Sequence, residues 1–190
     1  MKVFVASDSY KGSLSSNDVI RAIQEAATRC GNIDVYGIPI ADGGEGTLAT
    51  VLNSLNGERI LCEVTDPIGR KVPAYFGLTK NTAIIEMANS SGLTLLTKEE
   101  RNALYTTSYG LGEMICQALD RPEVEEIIVG IGGSATNDGS IGMAQALGLR
   151  ALNANNEEIP FGWSICWGYC KTRYPKHASK VERSSNPCDV

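Results

Sequence analysis

No apolar run in the 190 residues approaches the ~20 needed to span a bilayer. The opening, MKVFVASDSYKGS, holds an apolar stretch too short for the core of a signal peptide. A cytoplasmic protein with no membrane partner is therefore expected. Positive charge is also scarce. The formal net charge of −5 argues against a nucleic-acid surface. Six cysteines would allow a disulfide framework, but nothing marks secretion. Cys30, Cys62 and Cys116 are expected to be reduced and mostly packed. The single histidine leaves Cys166, Cys170, His177 and Cys188 as a poor zinc set, because their spacings are loose. No GxxxxGK[ST] occurs, so a Walker A loop is excluded, and the protein-kinase motifs are missing too. The apolar fraction of 43% with 21% charge is ordinary for one globular domain, or one and a part.

What is present is glycine with small polar residues. The densest stretch is VGIGGSATNDGSIGMAQALG, Val129 to Gly148, after the apolar run EEIIV. The apolar run predicts a buried strand, and Ile141, Met143, Ala144 and Leu147 predict a helix stopped by Gly148. Glycines between a strand and a helix let the backbone approach a ligand, and free N–H groups at the helix start favour an anion. Gly132, Gly133, Ser134, Thr136, Asn137 and Asp138 are the candidate cradle. A tight turn that needs glycine for packing alone is the competing explanation. The third glycine of a dinucleotide fingerprint is missing, and no acid lies at the ribose-contact distance before Glu157 and Glu158. A nicotinamide-dependent oxidoreductase is thus the weakest of the functions considered.

In chain order, Lys2–Ala6 predicts a strand, and Ser15 with Asp18 a capping box that opens a helix ended by Gly31. Ile33–Ile40 predicts a second strand, followed by the loop ADGGEGT and a helix closed by Gly57. This repetition of strand, loop and helix suggests a parallel sheet. Arg59–Val64, Val72–Leu78 and Thr82–Met87 then predict an antiparallel meander. Thr97 and Glu100 predict a short capped helix, Ser108–Leu119 a longer one, and Arg150–Leu152 a last strand. The expected fold class is α/β, a parallel or mixed sheet with flanking helices plus the meander. Two further loops carry acids among small residues. The first holds Asp8, Ser9, Lys11 and Ser13. There Lys11 is placed to neutralise a phosphoryl oxygen, or else is an ordinary solvated lysine. The second holds Asp42, Gly43, Gly44 and Glu45. Its carboxylates suit Mg²⁺, or Asp42 simply caps the helix. Ligands of parallel sheets sit beyond the carboxyl ends of the strands, so all three loops are expected on one sheet edge.

SDSYKGSLSS, ADGGEGT, TTSYGLGE and GIGGSATNDG, in that order, closely resemble the bacterial glycerate kinase family over about residues 1–160. The resemblance implies two α/β domains around a cleft, ATP and Mg²⁺ as co-substrates, and D-glycerate as the small-molecule acceptor. It also implies that the three loops line that cleft and that Asp189 is the general base; from their chemistry Asp8, Lys11 and Asp42 are assigned with it as catalytic. Ser9, Ser13, Gly43, Gly44, Glu45 and the central cradle would bind substrate or phosphate. The family chain continues well beyond this length, so the fold is expected to be incomplete. Residues 1–160 divide into 1–57, 58–87 and 88–160. From Phe161 to Pro187 the text departs from the family, while the terminal CDV resembles it again. Two compensating frameshifts would give that pattern, as would a divergent tail. Residues 161–190 are expected to be poorly ordered. A fragment that binds nucleotide or glycerate without turnover is the alternative function.

Overall fold

The structure is a computed structural model that describes residues 1–10, 13–162 and the backbone of 171–173. Strand β1 (Lys2–Ser7) and strand β2 (Asp34–Pro39) pair in parallel, from Lys2 opposite Asp34 to Ser7 opposite Pro39. Helix α1 (Ser16–Cys30) makes the crossover that a parallel pair needs. Its predicted capping box forms: the Ser15 hydroxyl accepts from the Asp18 N–H, and the Asp18 carboxylate accepts from the Ser15 N–H. α1 packs on this sheet through Ile20, so closely that a Cβ on Gly37 would lie 2.1 Å from the Ile20 side chain. The opposite face carries Phe4 stacked on Tyr36 at 5.2 Å, both exposed.

Helix α2 (Thr47–Leu55) leads to a second sheet. Strands β3 (Glu58–Thr65), β4 (Lys71–Thr79) and β5 (Thr82–Glu86) run antiparallel as the predicted meander. Strand β6 (Glu126–Gly130) then joins β5 in parallel, giving the order β3-β4-β5-β6. That join was not foreseen. It follows from the crossover made by helix α3 (Ala88–Ser91), the 3-10 turn Leu93–Leu95 and helix α4 (Tyr109–Leu119), which returns the chain alongside β5. One face of the sheet, with Val64, Phe76, Ala83 and Ile85, buries Leu111, Met114 and Ala118 of α4. The other face, through Ile84, buries Leu48 and Leu52 of α2. This two-sided burial is why TAIIEM reads as a continuous run rather than an alternation. Helix α5 (Ile141–Ala146) lies on α4 at Gly112, where a Cβ would be 2.3 Å from the Met143 carbonyl.

Several expectations need correction. The three glycine loops do not spring from one sheet edge, because β1–β2 and β3–β6 are separate sheets. The Thr97–Glu100 contact forms, but no helix follows. Glu100 is shared with Arg70, and the Asn102 carboxamide oxygen accepts from the Leu104 N–H in a local turn that competes with helix. Cys30 is exposed, as it ends α1 on the solvent side, whereas Cys62 is buried. Strand β8 (Lys171–Arg173) pairs antiparallel with strand β7 (Arg150–Leu152), although Arg150–Leu152 was expected to be the last strand. Main-chain hydrogen bonds specify a partner strand without any side-chain period for the sequence to display. The rest of the tail, with both tryptophans and the four residues judged a poor zinc set, lies outside the described residues.

Candidate active site

The first loop leaves β1 at Ser7. The Asp8 carboxylate accepts from the Ser9 N–H at 2.6 Å, which folds the carboxylate back on its own turn. Ser13 donates its N–H to the Tyr10 carbonyl. Lys11, between them, lies outside the described residues, as does Asp189. The second loop follows β2, which ends at Pro39, from Ala41 onward. Asp42 accepts from the Gly44 N–H at 2.8 Å, an Asx turn that shapes the loop rather than capping α2. The helix opens at Gly46, which has φ 91° and no side-chain cap of its own. Its amides are held instead by Glu86, at the end of β5. Oε1 of Glu86 accepts from the Gly46 N–H at 2.7 Å, and Oε2 accepts from the Leu48 N–H at 3.3 Å.

The second and third loops touch. The Gly132 N–H donates to the Gly43 carbonyl at 2.9 Å. A Cβ on Gly132 would lie 2.6 Å from the Gly44 Cα, and one on Gly130 would lie 2.6 Å from the Gly43 oxygen. These glycines are therefore required by the close approach of two backbones. Gly133 is required by conformation, with φ 73°, and a Cβ there would face Ala88 and the Glu45 side chain. Its carbonyl accepts from Leu93, and Ala135 donates to the Ser91 carbonyl, so the loop also leans on the segment after β5. Ser134 and Thr136 share a hydroxyl–hydroxyl hydrogen bond of 3.0 Å, and Asn137 is exposed.

Asp138, expected in the cradle, takes its partners from within the fold. It is 3% exposed and its carboxylate is saturated within the fold. Oδ2 accepts from the Ser108 N–H and hydroxyl, each at 2.8 Å, and from the Gly142 N–H at 3.1 Å. Oδ1 accepts from the Ser140 N–H at 3.2 Å. The amides at the start of α5, expected to face an anion, are thus taken by Asp138 and by the Ser108 hydroxyl, which accepts from Met143. What remains open in this loop is the amides of Gly133 and Ser134 and the exposed Asn137.

Two cavities flank the second loop. The larger, about 310 Å³, lies between the first and second loops and is lined by Ser9, Ser13, Ser16, Asn17, Glu45 and Thr50 among others. The smaller, about 270 Å³, is lined by Glu45, Arg59, Tyr75, Glu86, Asn89 and Thr94 among others. Glu45 and Gly46 belong to both, so the second loop is the wall between them. Arg59 is the one cation among the described residues lining either cavity. Burial pushes the Glu86 carboxyl above its ordinary range. The Leu48 and Gly46 amides pull it back, the Glu45 charge adds to the rise, and Arg59 opposes it. Among the described residues no three His, Cys, Asp or Glu side chains converge to hold a metal ion. Mg²⁺ in phosphoryl-transfer sites is usually held by one or two carboxylates and the substrate phosphates, a requirement that Asp42 and Glu45 can meet.

Sequence reasoning missed Glu86. Its signal was there, a lone acid in the otherwise apolar TAIIEMA, since a charge in a buried strand must have partners.

The chain is thus an α/β protein in which glycine loops from two separate sheets meet backbone to backbone. The chain belongs to the glycerate kinase family, whose model matches residues 3–173, past the limit expected from the motifs. It is 50% identical over 165 residues to the glycerate kinase of Haemophilus influenzae, covering 85% of this chain and 43% of the relative. It is 47% identical over 165 residues to the glycerate 2-kinase of Escherichia coli K12, covering 85% and 43%. A crystal structure of a protein assigned as glycerate kinase 2 from Salmonella typhimurium LT2 superposes with a TM-score of 0.68 at 46% identity, over 85% of this chain and 44% of that one. The chain thus spans less than half the length of these relatives. Among the described residues no helix is long and apolar enough to cross a membrane.

Proposed function

We propose that this chain carries part of the site with which a cytoplasmic kinase phosphorylates D-glycerate from ATP. The observation that carries the reading is the junction of the second and third glycine loops. There two backbones meet at Gly43 and Gly132 beside cavities that share Glu45. Phosphoryl transfer asks mostly for positioning and for groups matched to spread charge, which fixed backbone amides, a lysine and a metal-holding carboxylate can supply. In this reading a hydroxyl oxygen of glycerate attacks the γ-phosphorus. The new O–P bond forms as the bond to the bridging oxygen breaks, and ADP leaves. The acceptor's proton passes to a carboxylate, which by family resemblance is Asp189. Ser9, Ser13 and the open amides of Gly133 and Ser134 orient phosphoryl oxygens, and Lys11 offsets their charge. Bound Mg²⁺, on Asp42 or Glu45, would neutralise charge on the phosphates.

A second reading is binding without turnover. It is favoured by the third loop, where the amides that open α5 are taken by Asp138 and Ser108 rather than left for a reacting anion. Coupled ADP formation with D-glycerate and Mg-ATP separates the two, with ³¹P spectra identifying the product. ADP release dependent on glycerate supports the kinase. Calorimetric binding of Mg-ATP or glycerate with no ADP supports the binder. Neither binding nor release refutes both.

A further inference from the structure

Glu86 closes a strand whose preceding residues, Ala83, Ile84 and Ile85, are buried and apolar, and it is itself only 5% exposed. A carboxylate at that depth is costly unless it is hydrogen-bonded. Both of its oxygens are spent on one place, the amides of Gly46 and Leu48 that open α2. The main chain of the same residue stands opposite Gly130 in the β5–β6 ladder, at the point where the third loop begins. One residue therefore ties down the second loop by its side chain and the third loop's strand by its backbone. Glu45, exposed and lining both cavities, is held between the Asx turn at Asp42 and this contact.

We propose that Glu86 is the positioning residue of the second glycine loop: by holding the Gly46 and Leu48 amides it sets where Glu45 stands between the two cavities. The charged groups facing it are Glu45 from the loop and Arg59 from β3, and burial outweighs both in holding its carboxyl above the ordinary value of 4.5. The inference rests on the kinase reading only for its effect on turnover.

The test is amide hydrogen exchange of the whole chain, read by ¹⁵N–¹H correlation spectra. The Gly46 and Leu48 amides are expected to exchange at least about tenfold slower than the Glu45 amide. In Glu86→Gln exchange at both amides speeds up by at least about tenfold, while the Met114 amide in α4 is unchanged. A folded variant with unaltered exchange would overturn the proposal. If Glu86→Gln does not fold, the unaltered chain decides: Gly46 and Leu48 amides that exchange as fast as Glu45 overturn the proposal. In the turnover assay the variant is expected to lose about tenfold or more in kcat with KM for Mg-ATP changed less than about twofold. Equal kcat in both proteins would overturn the role in positioning. If the unaltered chain forms no ADP, the kinase reading fails while the amide exchange still decides the clamp.

Discussion

Replacing Asp138 with alanine separates a structural carboxylate from one that cradles a ligand. The wild-type side chain is 3% exposed and accepts four hydrogen bonds, from Ser108 (N–H and hydroxyl), Ser140 and Gly142. In Asp138→Ala the Ser140 amide can turn to water, and the Ser108 hydroxyl can rotate. The buried amides of Ser108 and Gly142 keep their geometry and lose their acceptor. At about 1–3 kcal/mol for each unsatisfied buried donor, the loss is about 2–6 kcal/mol. That is a large share of the about 5–15 kcal/mol that holds a typical domain together. For a chain of this size each kcal/mol moves Tm by about 2–4 °C, so a fall on the order of 10 °C is expected. Asp138→Asn keeps the shape and can present its oxygen to Ser108 and Gly142, with the amide group toward exposed Ser140. It should cost only about 1–2 kcal/mol. Urea unfolding of the three proteins, with the slope compared to confirm one transition, measures both losses. An Asp138→Ala protein within about 1 kcal/mol of wild type that no longer binds ligand would refute the structural account. It would return this carboxylate to the cradle.

Two further outcomes follow from the geometry of the loops and the core. Gly130→Ala places a Cβ 2.6 Å from the Gly43 carbonyl oxygen. It should cost about 1–3 kcal/mol and speed hydrogen exchange at Gly132, whereas unchanged exchange would mean that the loops part without consequence. Burial, with a smaller contribution from Glu113, pushes the Cys62 thiol up to about 11, so at pH 8 it is held protonated. Iodoacetamide followed by peptide mapping should label exposed Cys30 at least about a hundredfold faster than Cys62, and comparable rates would show that the β3 face opens readily.

The sequence by itself determined the elements and the places where chemistry gathers. Apolar period and caps act within a few residues, so the Ser15–Asp18 box, α4 and the β3–β4–β5 meander appear close to where local pattern puts them. The glycine loops were legible for the same reason, since few other residues allow such close backbone approach or a positive φ. Only the tertiary structure decided which strands share a sheet. The parallel pairing of β6 with β5, the separation of β1–β2 and the pairing of β8 with β7 depend on main-chain partners far apart in the chain. It likewise decided which acids are spent inside. Asp138 looks like Asp42 in sequence, an acid among the small residues of a glycine loop, but Asp138 and Glu86 are both buried on amides that include ones supplied from 30 and 40 residues away. Asp42 and Glu45 are left facing solvent. A carboxylate's role is set by its desolvation and its donors, and both are properties of the packed chain rather than of its neighbours in sequence.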